Sequence, residues 1–180
     1  MMVNNSVFDV IQGLANRFYC DSKALPAQTD YTSLTTVLCF TALGVDLVIP
    51  IQELSEVHEL PNYARLPGVQ PWMMGVASIR GKFVPVVDLA GFVGGELSPR
   101  HKAQRLLVID FTGSVVGLLV DSVAGVRQFD SEQFCDNPES TAGSLEPYIH
   151  GCFKEDDGSH KYLFRPSQLI EDQSFQNVAI

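Results

Sequence analysis

The stretch MMGVASIRGKFVPVVDLAGFVG, residues 73–94, sets the architecture of this chain. Val76, Ser78 and Arg80 alternate with Ala77 and Ile79, the two-residue period of a strand. Gly81 marks a turn, and Phe83, Val84, Pro85, Val86 and Val87 make a second strand. Pro85 has no N–H to offer a ladder, so this strand is expected at an edge or a bulge. Asp88 stands where it can cap a short helical turn, LAGFV, which Gly94 and Gly95 end.

The same rhythm extends on both sides. TTVLCFTAL, then Gly44, then VDLVIP, reads as a hairpin over residues 35–50. IQELSEV, residues 51–57, reads as one or two helical turns with Ile51, Leu54 and Val57 facing inward. RLLVID and SVVGLLVD flank Gly113 as another hairpin. Val123, Val126 and Phe129 continue the apolar pattern. Tyr148, Ile149, Cys152 and Phe153 suggest a further strand. EDDGS is a charged turn, HKYLFRP a last strand, and SQLIED a short helix. No helix of ten or more residues separates successive strands, so a βαβ arrangement is excluded. Eight to ten short strands with glycine turns call for closed or nearly closed antiparallel barrels.

The first 33 residues differ in texture. Val7, Val10, Ile11, Leu14 and Phe18 form one helical stripe, which either packs on its own domain or docks a partner. DSKALPAQTDYTS, residues 21–33, reads as a linker.

Composition narrows the function. The 180 residues carry a formal net charge of −9, and 46% are hydrophobic against 18% charged. So acidic a chain has no evident face for phosphates, which argues against nucleic acid and anionic membrane as partners. The densest basic group, Arg100, His101, Lys102 and Arg105, reads as a solvated loop flank. Cys20, Cys39, Cys135 and Cys152 form no regular framework, consistent with a reducing cytosol, and Cys39 reads as a small buried hydrophobe. His58, His101, His150 and His160 are dispersed, and no spacing asks for a metal. No stretch reaches the length of a membrane span, and the opening residues lack the regions of a signal peptide, so a cytoplasmic location is expected.

The sequence holds no nucleophile elbow, phosphate-binding glycine loop, dinucleotide fingerprint or zinc-protease helix. The plentiful carboxylates, Asp110, Asp121, Asp130, Glu132 and Asp136 among them, read as loop acids and turn caps. Trp72 with Met73 and Met74 is either an adhesive patch or core. The distinctive feature is Arg80 at a strand tip before a glycine. Its planar fork either reaches a partner or closes an internal ion pair, for example with Asp88.

Gly75-Val-Ala-Ser-Ile-Arg-Gly81 followed by Pro85-Val-Val-Asp-Leu89 resembles the signature of the CheW-like domain family. The opening hairpin with residues 51–57, the segment GLLVDSVAGV at 117–126 and YIHG at 148–151 match it in order, over roughly Leu34 to Asp172. LPAQ, LPGVQPWMMGVASIRG and ELSP are similar in particular to the adaptors of type IV pilus chemosensory systems. The family closes its last strand with a Leu-Asp pair, whereas here Phe164, Arg165 and Pro166 stand in that place.

The resemblance implies a mainly β fold of two packed five-stranded SH3-like barrels, spanning 34–172, with residues 1–33 as an N-terminal extension and 173–180 as a tail. It implies an adaptor without catalysis or cofactor, joining a CheA-type histidine kinase to the cytoplasmic tip of a methyl-accepting receptor. In the pilus branch the signal would control twitching motility. The alternatives are a coupling protein of a flagellar chemotaxis pathway and a small-ligand-sensing barrel. By resemblance, Ile79, Arg80, Gly81 and Val87 are candidates for receptor contact, and Val57 and Leu60 for kinase contact. Asp88, Asp121 and Val123 are candidates for the barrel junction or the fold.

Overall fold

A computed structural model of the chain describes residues 34–98, 102–111, 113–136 and 142–180. The expected N-terminal helix and linker lie outside these residues.

Two hairpins carry the sequence pattern directly. Strand β1 (Thr35–Ala42) pairs with β2 (Val45–Pro50), and β5 (Met73–Ile79) with β6 (Lys82–Asp88), both antiparallel. Each turn has two residues, Leu43-Gly44 and Arg80-Gly81, and all four have positive φ, between 48° and 78°. That is the requirement of a primed type I turn, whose twist matches that of the flanking strands. The remaining strands are β3 (Leu54–His58), β4 (Tyr63–Ala64), β7 (Arg105–Phe111), β8 (Ser114–Val120), β9 (Ser122–Phe129), β10 (Phe134–Cys135), β11 (Ile149–Lys154) and β12 (His160–Phe164). Short helices α1 (Leu89–Phe92), α2 (Pro166–Glu171) and α3 (Gln173–Gln176) complete the description, with 3-10 turns at Ile51–Glu53, Ser131–Gln133 and Gly143–Tyr148.

The strands form two six-stranded sheets, in the orders β10-β11-β12-β2-β1-β9 and β3-β7-β8-β6-β5-β4. Each has five longer strands and one two-residue strand, β10 or β4. The halves share a plan: two hairpins lie side by side, joined by one parallel pair, β12 with β2 or β6 with β8. The expectation of wholly antiparallel sheets missed those pairs. The first half is split in sequence, and the second, residues 54–120, is inserted between its parts.

Three apolar clusters explain why the strands read as continuous hydrophobic runs. Val37, Cys39, Val48, Phe129, Phe153 and Leu163 fill the inside of the first half. Ala77, Ile79, Val84, Val86, Leu106, Val108 and Leu119 fill the second. The alternate residues of the same strands, such as Leu38, Phe40, Leu47, Ile49, Val87, Leu107 and Leu118, meet in a third cluster between the halves. Along the middle of β1, β2 and β8 both faces are therefore buried, and the alternation expected of a half-exposed strand disappears there, whereas β5 keeps it.

Side chains draw each sheet toward closure. In the first half, Phe129 of β9 stacks on Phe153 of β11 at 4.8 Å, and Arg127 pairs with Glu155. In the second, Arg80 of the β5–β6 turn reaches Glu56 on β3, a strand three places away across the sheet from β6.

Several local expectations are corrected. Only Ile51–Glu53 is helical in the 51–57 stretch, and the rest is β3 paired with β7. Val57 consequently faces out rather than in. Strand β6 is interior to its sheet, not an edge. Pro85 is nevertheless tolerated, because the pairing with β8 begins only at Val86 and β6 has one neighbour at that point. Residues 173–180, expected as a tail, fold back onto the body. Phe175 is buried, the Gln70 N–H donates to the Val178 carbonyl, and the Ile180 N–H to that of Gly68.

Candidate functional site

Strand β6 places alternate side chains on opposite faces, with Val84 and Val86 inside the second half. Phe83, Pro85 and Val87 therefore form the other stripe. Phe83 is 81% exposed and Val87 2%, so the stripe runs from solvent into the body of the molecule. At its inner end Pro85 and Val87 line an apolar groove of about 410 Å³, with Val116 of β8, Trp72, and Ile170 and Phe175 of α2 and α3. Trp72 stacks on Phe175 with ring centroids 5.5 Å apart and meets Phe92 edge-on at 5.2 Å. These rings hold the C-terminal helices against the second half and give the groove a rigid wall. Trp72 thus packs on Phe92 and Phe175 and also lines the groove.

Arg80 stands in the turn that joins β5 to β6, beside Ile79 and Val84. It is 76% exposed, and its Nε lies 3.1 Å from Glu56 Oε2. The His58 Nε2 is 2.6 Å from the same oxygen. The internal ion-pair reading therefore has a different partner from the one suggested. Asp88 instead caps α1, accepting the Gly91 N–H at 2.9 Å. Burial pushes the Asp88 carboxyl above the usual carboxylate range; the amides of Gly91 and Ala90 pull the other way, and Asp121 adds a smaller upward push.

The other candidates sort by burial. Ile79, at 8% exposure, belongs to the inside of the second half and offers a partner almost no side-chain surface. Val87 is equally withdrawn and lines only the floor of the groove. Gly81 shares the turn with Arg80. Val57 is exposed on β3, and Leu60 packs against the inside of the second half. Val123 packs against the cluster between the halves. Asp121 sits where the chain crosses from β8 to β9. Its carboxylate accepts the Leu43 N–H at 2.8 Å and the Ser98 N–H, while its own N–H donates to the Thr41 carbonyl at 3.0 Å.

Phe83 and Glu56 escaped the sequence reading. With apolar residues on both faces of β6, nothing in the pattern marked Phe83 as the exposed one. Glu56 was hidden by the helical reading of its segment. Arg165, which replaces an expected carboxylate, bonds Glu53 at 2.7 Å and ties the start of α2 to the 3-10 turn linking the two sheets. Among the described residues, no group of three or more His, Cys, Asp and Glu side chains is arranged to hold a metal ion. Among them too, no helix is long and apolar enough to cross a membrane.

The model of the CheW-like domain matches residues 36–174. This chain belongs to the CheW-like domain family. It is 37% identical over 156 residues to Protein PilI of Pseudomonas aeruginosa, covering 87% of this chain and 86% of that protein. It is 26% identical over 114 residues to the chemotaxis protein CheW of Klebsiella aerogenes, covering 63% and 69%. The scaffolding protein TtCheW from Thermoanaerobacter tengcongensis has the same fold, with a TM-score of 0.67 at 22% identity, over 78% of this chain and 94% of that one. The mainly β architecture of two sheets and the resemblance read from residues 75–89 are both borne out.

Proposed function

We propose that this CheW-like protein is a non-catalytic adaptor that couples a CheA-type histidine kinase to methyl-accepting receptors in a pathway controlling type IV pili and twitching motility. The observation that carries this reading is the match to Protein PilI along 87% of the chain. The groove between β6, β8 and the C-terminal helices supplies a fitting apolar surface, and the exposed Arg80 and Phe83 belong to the same β5–β6 hairpin as Pro85 and Val87 of its lining. A helical hairpin tip, apolar along one face and acidic at its flank, is the partner this groove and the hairpin's exposed arginine suit. Arg80 holds φ at 48°, a conformation that costs a non-glycine residue about 1–2 kcal/mol. A residue kept there against its preference points to a role for its side chain. Val57, exposed on the outer strand β3, and Leu60 beside it are assigned to the kinase. Recruitment to receptor arrays follows from holding both partners at once.

The test is binding of the purified chain to the kinase's CheW-like domain and to a receptor-tip fragment, singly and together. An adaptor binds each and forms a ternary complex. Binding to one alone, or mutual exclusion of the two, overturns the proposal.

A further inference from the structure

Strand β10 has only two residues, Phe134 and Cys135, and it pairs antiparallel with β11. The register sets Phe134 opposite Phe153 and Cys135 opposite Cys152. Side chains confirm that alignment, since the Phe134 and Phe153 rings lie 5.3 Å apart. The neighbouring pair must then share the opposite face of the sheet. The backbones are also drawn close. Gly151, at φ 106°, leaves room for β10, where an added Cβ would stand 2.7 Å from the Cys135 carbonyl oxygen. Directly opposed residues in an antiparallel pair have Cα atoms about 4.5–5.5 Å apart, within the range of about 4.4–6.8 Å that a disulfide spans.

The two thiols differ in access. Cys135 is exposed and Cys152 is fully buried in the cluster between the halves. Both are free thiols. Burial pushes the Cys152 thiol up, and the nearby Cys135 adds to that. Cys152 therefore resists oxidation by itself, while Cys135 can meet an oxidant from solvent.

We propose that Cys135 and Cys152 form a reversible cross-strand disulfide when the protein meets a peroxide. The Cys135 thiolate attacks one peroxide oxygen, the O–O bond breaks, and water leaves once the departing oxygen is protonated. The resulting sulfenic acid is attacked by the Cys152 sulfur. The S–S bond forms, the S–O bond breaks, and a second water carries away the oxygen and the Cys152 proton. Two electrons pass from the sulfurs to the peroxide. The product clamps the shortest strand of the first sheet to β11, and thiol exchange restores the dithiol.

Hydrogen peroxide added to the reduced full chain tests this. Of the four cysteines, two should be lost to thiol titration under denaturing conditions, and dithiothreitol should restore them. No Lys or Arg lies between Cys135 and Cys152, so trypsin leaves both in one peptide, residues 128–154. That peptide should be lighter by a pair of hydrogens, and cleavage after Glu139 should leave its parts joined until reduction. Cys152→Ser should halt the reaction at sulfenic acid on Cys135. Retention of all four thiols, a bond involving Cys20 or Cys39, or a disulfide between two molecules through Cys135 overturns the proposal.

Discussion

Replacing Asp121 by alanine removes one carboxylate that accepts two backbone N–H groups from distant segments, Leu43 and Ser98. The residue is 8% exposed, so water reaches those donors poorly. An unsatisfied buried donor costs about 1–3 kcal/mol. Two donors, partly relieved by water entering the space left by the side chain, give a loss of about 3 kcal/mol. There is a second contribution. Leu43 holds φ at 54°, and the bond to Asp121 is what fastens that turn to the β8–β9 crossover. For a domain of this size about 1 kcal/mol moves the midpoint by roughly 2–4 °C, so the alanine variant should melt roughly 6–12 °C lower. Asp121→Asn keeps one acceptor oxygen and turns an amide N–H toward the other donor, so it should lose about half as much. Thermal denaturation followed by circular dichroism measures both, and hydrogen exchange should quicken first at the Leu43 and Ser98 amides. An alanine variant melting within about 2 °C of the parent refutes the reasoning, because that shift corresponds to under about 1 kcal/mol.

Arg80→Ala breaks an ion pair whose cation is mostly exposed, so stability should fall by less than about 1 kcal/mol. Its binding to a receptor-tip fragment should weaken by about 2 kcal/mol, roughly thirtyfold, in calorimetric titration; unchanged affinity would remove Arg80 from the receptor contact. Asp88→Asn keeps an oxygen for the Gly91 N–H and removes a charge that burial disfavours. Because the folded carboxyl titrates above its unfolded value, its contribution to stability is fully present below pH 3.8 and is lost as pH rises through the folded value. The variant should therefore melt no lower than the parent at neutral pH and lack that acid-side gain, and a clear fall at neutral pH would contradict it. Tyr148 is pushed up to about 12 by burial and by its hydrogen bond to Asp172. Its share of stability is complete below pH 10 and disappears as pH rises toward about 12. Tyr148→Phe should lower stability at neutral pH and flatten the alkaline side of the profile, read by denaturation at stepped pH beside the phenolate absorbance of the parent.

Short-range features of the fold were legible because neighbouring residues produce them. Glycine after Leu43 and after Arg80 set the hairpin turns, and Asp88 ahead of Leu89 set the cap of α1. The stretch Ile51–Val57 was misread because Ile51, Leu54 and Val57 are three residues apart, a helical spacing, although β7 offers that segment a ladder. Family membership was legible too, since it rests on motifs in order along the chain. Pairing between remote segments was not. Strand β9 joins β1 across some eighty residues, and β12 lies parallel to β2 at a still greater separation.

The candidate site shows the same division. Residues 75–89 placed Arg80 correctly in a hairpin turn. Whether Ile79, Phe83 or Val87 meets solvent depended on how the sheet curls, because all three are apolar and both faces of the strands meet other residues. The partners of Arg80 and Arg165 are Glu56 and Glu53, three residues apart in sequence, which lie on the second sheet's first strand and on the turn leading into it. Local periodicity and turn chemistry act over a few residues and can be read along the chain. Strand order, burial and ion-pair choice follow from contacts between segments far apart in sequence, so only the folded arrangement brings them together.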